Sequence, residues 1–461
     1  MTDLLISGGV VVTMDAARRV IPDGAVAVAG GRILAVGPRA EVEAAHPAPR
    51  QRIEARGRAV LPGLIDAHGH AGHGLIKTMG SGDSAAWFEA CARIYTHASP
   101  PDFWKAEARL AALERLMFGI TTGVSVLGGG DCVMRVDRPD HGAAHAEGVA
   151  EIGIRDIMAV GYTRPPFPRL YDGVPVDAAQ QLASMRALFR DWHGRGRQML
   201  CTMMPVWRGD ATHREEIAAQ GRDMLALAAE YGALFHQDGH RAGSIAAAHL
   251  QFGLLSPRAF LSHCTDLTEE DIAALVESGA SVVHNPTAIA AVRGFCPVVR
   301  LLEAGVPVIL GSDATAPDRS SDLFRHMMMA RRYAQRAAAD ENLLPPGRVL
   351  EMCTVDAARA LGLDDLGVLA PGMRADIITV DLSAPHMAPA HMPVWRLVCF
   401  ATGADVRDVV VEGEVLMRER IPHVDVGRVV AEAERQAEAM LARSGLAALA
   451  QEDPGWGRVR R

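Results

Sequence analysis

Lysine is nearly missing from this chain: Lys77 and Lys105 are the only two, and every other basic side chain is arginine. Also lacking are an apolar run long enough to cross a bilayer, a Cys-x-x-Cys pair and an excess of positive charge. Each absence removes a class of function. Without about 20 consecutive apolar residues no membrane-spanning helix is expected. The seven cysteines, at 91, 132, 201, 264, 296, 353 and 399, are too scattered for a zinc ribbon and suit reduced thiols in a cytoplasm. A net charge of −8 disfavours non-specific nucleic-acid binding. The opening segment, MTDLLISGGVVVTMD, has neither the basic stretch nor the cleavage site of a secretion signal and reads as a mature start. These absences describe a cytoplasmic protein that acts on small molecules and has no nucleic-acid or membrane partner.

What is present is an ordinary large core, with 49% hydrophobic and 22% charged residues in a chain of 461. The first stretches, DLLISGGVVVTMD, GAVAVAGGRILAVGP and RIEARGRAVLPG, alternate like short strands with glycine turns. The same texture returns in GVLAPGMRADIITVDL and VRDVVVEGEVLMRERIP. Residues 1–58 and 366–422 are therefore expected to form one small β-sandwich built from both ends. Between them, over 59–365, eight short apolar runs alternate with helical patterns. They lie at 63–68, 119–126, 154–162, 198–206, 232–237, 259–263, 281–285 and 306–313. Eight such repeats fit an α/β fold, the (β/α)8 or TIM barrel. Its longest insertion falls between the first two strands, where a lid or substrate wall would sit. TEEDIAALVESG predicts a helix capped by Thr268 and Asp271 and stopped at Gly279. Residues 423–461 read as a C-terminal extension whose 427–445 segment is an exposed amphipathic helix. HMMMARR, at 326–332, reads as a buried stripe or a subunit contact, and a homo-oligomer, dimer or tetramer, is expected.

In such a barrel the chemistry gathers where strands end. Strand one runs into His68 and His70, which are two apart and share a face. Strand five runs into His236, strand six into His263, strand seven into His284 and strand eight into Asp313. Taken singly, a histidine is more often a cap or a packed core residue, and His284 reads that way first. Together His68, His70, His236, His263 and Asp313 form a set suited to a divalent ion.

The blocks PGLIDAHGH, LSHCTDL, VVHNPTA, LGSDATAPDRSSDLF and GVLAPGMRADIITVDL resemble, in that order, the amidohydrolase superfamily. The branch they look like holds cytosine, guanine and S-adenosylhomocysteine deaminases and triazine chlorohydrolases. The resemblance implies one metal held by His68, His70, a strand-five histidine and Asp313. His263 would orient the attacking water, and Asn285 with Pro286 would shape the strand-seven loop. Binuclear members bridge two ions through a modified lysine at strand four. QMLCTMMPV has none, so one ion is expected, zinc first and cobalt, iron or manganese as alternatives.

One stretch departs from the pattern. In ALFHQDGHRAGS the deaminases keep HxxE, with the Glu carrying protons to the ring nitrogen and leaving amine; counted from His236, that place is Gly239. The other register puts Asp238 at the metal, since it shares a face with His236. His236 is preferred because it follows the apolar run directly. Asp238 and His240 are then left as acid/base candidates, with hydrogen bonding to a ligand imidazole as the plainer role for Asp238. Losing the Glu turns the expectation toward hydrolysis of an amide, urea, carbamate or thiocarbamate C–N bond. Deamination or dechlorination of a pyrimidine, purine or triazine, with His240 or Asp238 in place of the Glu, is the second reading, and a non-catalytic metal-binding protein the third. His73, Lys77 and Trp87, past the His-x-His, and His284 with Asn285 are the candidate substrate contacts.

Overall fold

A computed structural model describes residues 2–80, 84–129, 133–207, 212–288, 294–313 and 315–450. Cys132 and the last part of the expected C-terminal extension lie outside the described residues. All eight expected barrel strands form. They are Leu64–Asp66, Ile120–Leu127, Arg155–Gly161, Gln198–Met203, Phe235–Gln237, Ala259–Ser262, Ser281–His284 and Val308–Leu310, each parallel to the next in chain order. Their side chains are buried along nearly the whole length, as a parallel sheet covered by helices demands. The eighth strand returns to the first: Ala67 N donates to Leu310 O at 3.1 Å and Asp313 N to His68 O at 2.8 Å. Closing the barrel thus sets Asp313 beside His68.

Thr268 and Asp271 cap the helix Glu269–Ser278 reciprocally, and Gly279 ends it with a positive φ of 70°, a conformation open to glycine. The insertion after strand one holds two helices, Ser84–His97 and Pro101–Met117. Against both lies the C-terminal helix Val426–Ser444. The sequence reading made it exposed; in fact Val429, Ala433 and Met440 are buried on the insertion.

The two chain ends hydrogen-bond into one nine-stranded sheet, joined where Arg58–Pro62 runs antiparallel to Ile377–Asp381. Its apolar core draws on both ends, with Leu4, Ile6, Val26 and Val60 against Leu369, Ile377 and Val410. Barrel and sheet are tied by Arg155 of strand three, which is buried and donates to Asp376 at 2.7 Å and to Glu412 at 2.6 Å. No helix among the described residues is long and apolar enough to cross a membrane.

Candidate metal centre

Five side chains converge at the strand ends. His68 Nε2 lies 3.4 Å from Asp238 Oδ1 and 3.5 Å from Asp313 Oδ1. His70 Nε2 lies 3.4 Å from Asp238 Oδ2 and 3.2 Å from Asp313 Oδ1. His263 Nε2 lies 3.2 Å from Asp238 Oδ1 and 3.9 Å from Asp313 Oδ2. His263 and Asp313 both have left-handed backbones, with φ of 68° and 64°. Such strain in non-glycine residues persists only where the surroundings impose it. Here the backbone bonds His263 N to Val283 O, at 3.1 Å, and Asp313 N to His68 O impose it.

Hydrogen bonds set the tautomers. His236 Nδ1 lies 2.7 Å from the carbonyl of Phe260, which can only accept, so the proton sits on Nδ1. Burial, and then the neighbouring His68, push the His236 pKa down to about 3, so its ring is neutral and Nε2 carries a lone pair. That lone pair faces His68 Nδ1 at 3.1 Å and takes its N–H, leaving the lone pair of His68 on Nε2. His70 Nδ1 likewise donates to Gly128 O at 2.8 Å, which turns its Nε2 toward the carboxylates. Both strand-one imidazoles therefore aim Nε2 at two carboxylates.

This arrangement differs from the expected register. His236 spends both ring nitrogens on Phe260 and His68 and stacks on the Phe260 ring at 4.3 Å. Asp238, two residues on, reaches the converging nitrogens instead. Strand five ends at Gln237, so His236 sits one layer deeper and Asp238 at the rim. Ser262, not anticipated from the sequence, donates its hydroxyl to Asp238.

The electrostatics agree with a cation site. Burial would protonate Asp238, but His68, His263 and His70 hold its carboxyl well below the usual range. Burial likewise opposes ionisation of Asp313, and His263, Arg319, His68 and His70 outweigh it. Burial also opposes charge on His70, yet Asp313 and Asp238 raise its pKa. His68 Nε2 is fully buried and has no hydrogen-bond partner among the described residues. Two carboxylates facing imidazole Nε2 atoms, in sets whose donor atoms lie within 4.8 Å of one another, fit a divalent ion.

The remaining candidates divide. Asn285 is buried, and its side-chain nitrogen lies 3.4 Å from His263 Nδ1, which leaves the His263 proton on Nε2 toward Asp238. His73 stacks on His70 at 4.7 Å and is met edge-on by Trp87 at 5.2 Å, so both pack behind the cluster. Lys77 does not turn to the site; it pairs with Glu114, whose other oxygen accepts from Ser321 N at 3.1 Å. Neither ring nitrogen of His284 has a hydrogen-bond partner among the described residues, and burial first, then His263 and His326, lower its pKa to about 3. His240 Nδ1 lies 2.9 Å from Ser244 Oγ, whose own proton goes to Arg241 O at 2.6 Å. His240 therefore donates from Nδ1. Arg319, missed in the sequence, comes within 3.9 Å of Asp313 Oδ2. A lone arginine in a loop past strand eight gives no periodic signal.

Residues 224–416 match the signature of the Amidohydrolase family, and residues 24–48 that of an imidazolonepropionase-like composite domain of bacteria. The chain is 33% identical to a 5-methylthioadenosine/S-adenosylhomocysteine deaminase of Nitratidesulfovibrio vulgaris, over 90% of this chain and 92% of that one. It is 30% identical to a 5'-deoxyadenosine deaminase of Methanosarcina mazei, over 96% and 99%. Among solved structures it resembles a zinc-bound adenosine deaminase from Xanthomonas campestris, with a TM-score of 0.81, 26% identity and coverage of 96% and 99%. The chain belongs to the amidohydrolase family. It is a metal-dependent hydrolase of carbon–nitrogen bonds, and the cluster is the candidate set for its divalent ion.

Proposed function

We propose that the protein holds one zinc ion through His68, His70, Asp238 and Asp313 and hydrolyses an amide, urea or carbamate-type C–N bond. A single ion is supported by strand four, which has no lysine, and by Lys105, which pairs with Glu147 and Glu151 at 3.1 and 3.0 Å. When bound, such an ion lowers the pKa of water toward ~7 and polarises a carbonyl. His263, with its proton on Nε2, orients the attacking water against Asp238, and Asp313 Oδ2 is placed to take a proton from it. Arg319 supplies positive charge for a substrate oxygen. His240, two residues past Asp238, is the candidate acid toward the leaving nitrogen.

The observation that carries this reading is the placement of the two carboxylates in the cluster. Asp238 and Asp313 are both turned into the imidazole set, and counted from Asp238 the place of the deaminases' Glu is Arg241, which offers no carboxyl to a heterocyclic ring nitrogen. Deamination of an adenosine-type nucleoside is the second reading, supported by the names of relatives that match over nearly the whole chain.

Zinc-loaded protein offered phenylurea, anilides and carbamates, and in parallel 5'-deoxyadenosine and 5-methylthioadenosine, separates the two. Amine release from the first group is expected. Ammonia release from the nucleosides alone would replace the first reading by the second. A cytoplasmic homo-oligomer completes the proposal.

A further inference from the structure

Beneath the His-x-His turn lies a group with no part in the chemistry above. Arg115 projects from the helix Pro101–Met117, outside the barrel, and is more than nine-tenths buried. Its Nε and Nη2 each lie 3.1 Å from Asp66 Oδ2. Nη1 donates to Ser125 Oγ at 2.8 Å and Nη2 to Val124 O at 2.8 Å. The fork of one guanidinium thus binds strand one and strand two together. Asp66 passes the tie to strand eight by accepting from Ser312 N at 2.8 Å and Ser312 Oγ at 2.7 Å. Ser312 precedes Asp313, and Asp66 lies two residues before His68.

Two glycines make the passage. A Cβ on Gly69, between the two histidines, would stand 2.4 Å from Arg115 Nη2. A Cβ on Gly123 would stand 2.6 Å from Nη1. Neither glycine has a positive φ, so what each position needs is room rather than backbone freedom.

We infer that Arg115 is a positioning residue of the metal centre: threaded through the gap left by Gly69 and Gly123, it fixes His68, His70 and Asp313 relative to one another through Asp66 and Ser312. The inference rests on reading the cluster as a metal site. It predicts that the glycines and the arginine are coupled: an added methyl group on Gly69 collides with the guanidinium at 2.4 Å, whereas its next neighbours, Asp313 O and Val124 O, lie at 3.3 and 3.4 Å.

The test compares full-length wild type, Arg115→Met, Arg115→Lys, Gly69→Ala and the double variant Gly69→Ala with Arg115→Met. Readouts are the zinc dissociation constant by chelator competition, the visible spectrum of the cobalt form, and the thermal transition of the zinc-free protein. Arg115→Met and Gly69→Ala should each weaken zinc binding about 10–100-fold, the usual effect of losing a group that orients ligands, and alter the cobalt spectrum. Arg115→Lys should recover part of the affinity. Adding Gly69→Ala to Arg115→Met should change affinity by less than about twofold, the mark of coupled sites. Because Arg115→Met strands the Asp66 charge, Asp66→Asn with Arg115→Met serves if the single variant does not fold, with the same weakened zinc binding expected. Folded Arg115 variants with wild-type zinc affinity and cobalt spectrum, or independent effects at the two positions, overturn the inference. Wild type that binds no zinc removes the metal reading and the inference with it.

Discussion

Replacing Asp238 and His236 separately by alanine asks which of the two strand-five residues holds the ion. Asp238 faces three imidazole nitrogens at 3.2 to 3.4 Å and supplies one of two negative charges at the cluster. A unit charge pair about 4 Å apart at an effective dielectric of 20 is worth about 4 kcal/mol. Each 1.4 kcal/mol is tenfold in affinity, so Asp238→Ala should weaken zinc binding roughly a thousandfold or more and abolish turnover. His236 acts through one hydrogen bond to His68 Nδ1. Its loss should cost about 10–100-fold in zinc affinity, about 1.4–2.8 kcal/mol. It should also destabilise the fold by about 1–3 kcal/mol, because the buried Phe260 carbonyl loses its donor. Chelator competition gives the affinities, and urea unfolding of the zinc-free proteins gives the stability. If His236→Ala loses zinc as completely as His68→Ala while Asp238→Ala keeps it, the tautomer argument fails.

Other expectations follow from the same geometry. His284 and His141 are held near pKa 3, first by burial, then by His263 and His326 beside His284 and by Arg135 and Arg138 beside His141, against 6.5 in a free chain. The unfolded chain therefore binds their protons first, and stability should be full above about pH 6.5 and fall as pH drops toward 3. Urea midpoints measured from pH 8 to 5 should fall, less steeply in His284→Leu; a flat profile contradicts this. Arg319→Met should raise KM by about tenfold, the loss of roughly one charge-assisted hydrogen bond, while zinc content stays near wild type; an unchanged KM removes its substrate role. Chelation should lower the melting temperature, and added zinc should restore it and then raise it with the logarithm of its free concentration; a zinc-independent melting temperature counts against the centre.

The barrel was legible because each strand is an apolar run that stops at a polar residue, as at GLIDAH, AFLSH and SVVHN, and burial on both faces leaves no other pattern. The choice between His236 and Asp238 was not legible. Residues two apart share a face, but sequence does not say how far along the barrel axis a strand ends. Arg319 and Arg115 were hidden for a different reason. Gly69 and Gly123 look like any strand glycine, and what fills their missing side chains comes from a helix elsewhere in the chain. The C-terminal helix shows a polar face that hides which surface its apolar stripe meets.

The hydrogen bond from Asp313 N to His68 O joins the last barrel strand to the first, across more than half of the chain. Contacts of such long range form late in folding, because the loop between them must be closed first. A ribosome still short of strand eight carries both strand-one histidines without Asp313. In the proposed site, full-affinity zinc capture would then coincide with completion of the ring, and the ion would report that the whole barrel has assembled. A refolding experiment with a zinc-sensitive dye would read the last step of barrel closure, with no label on the protein.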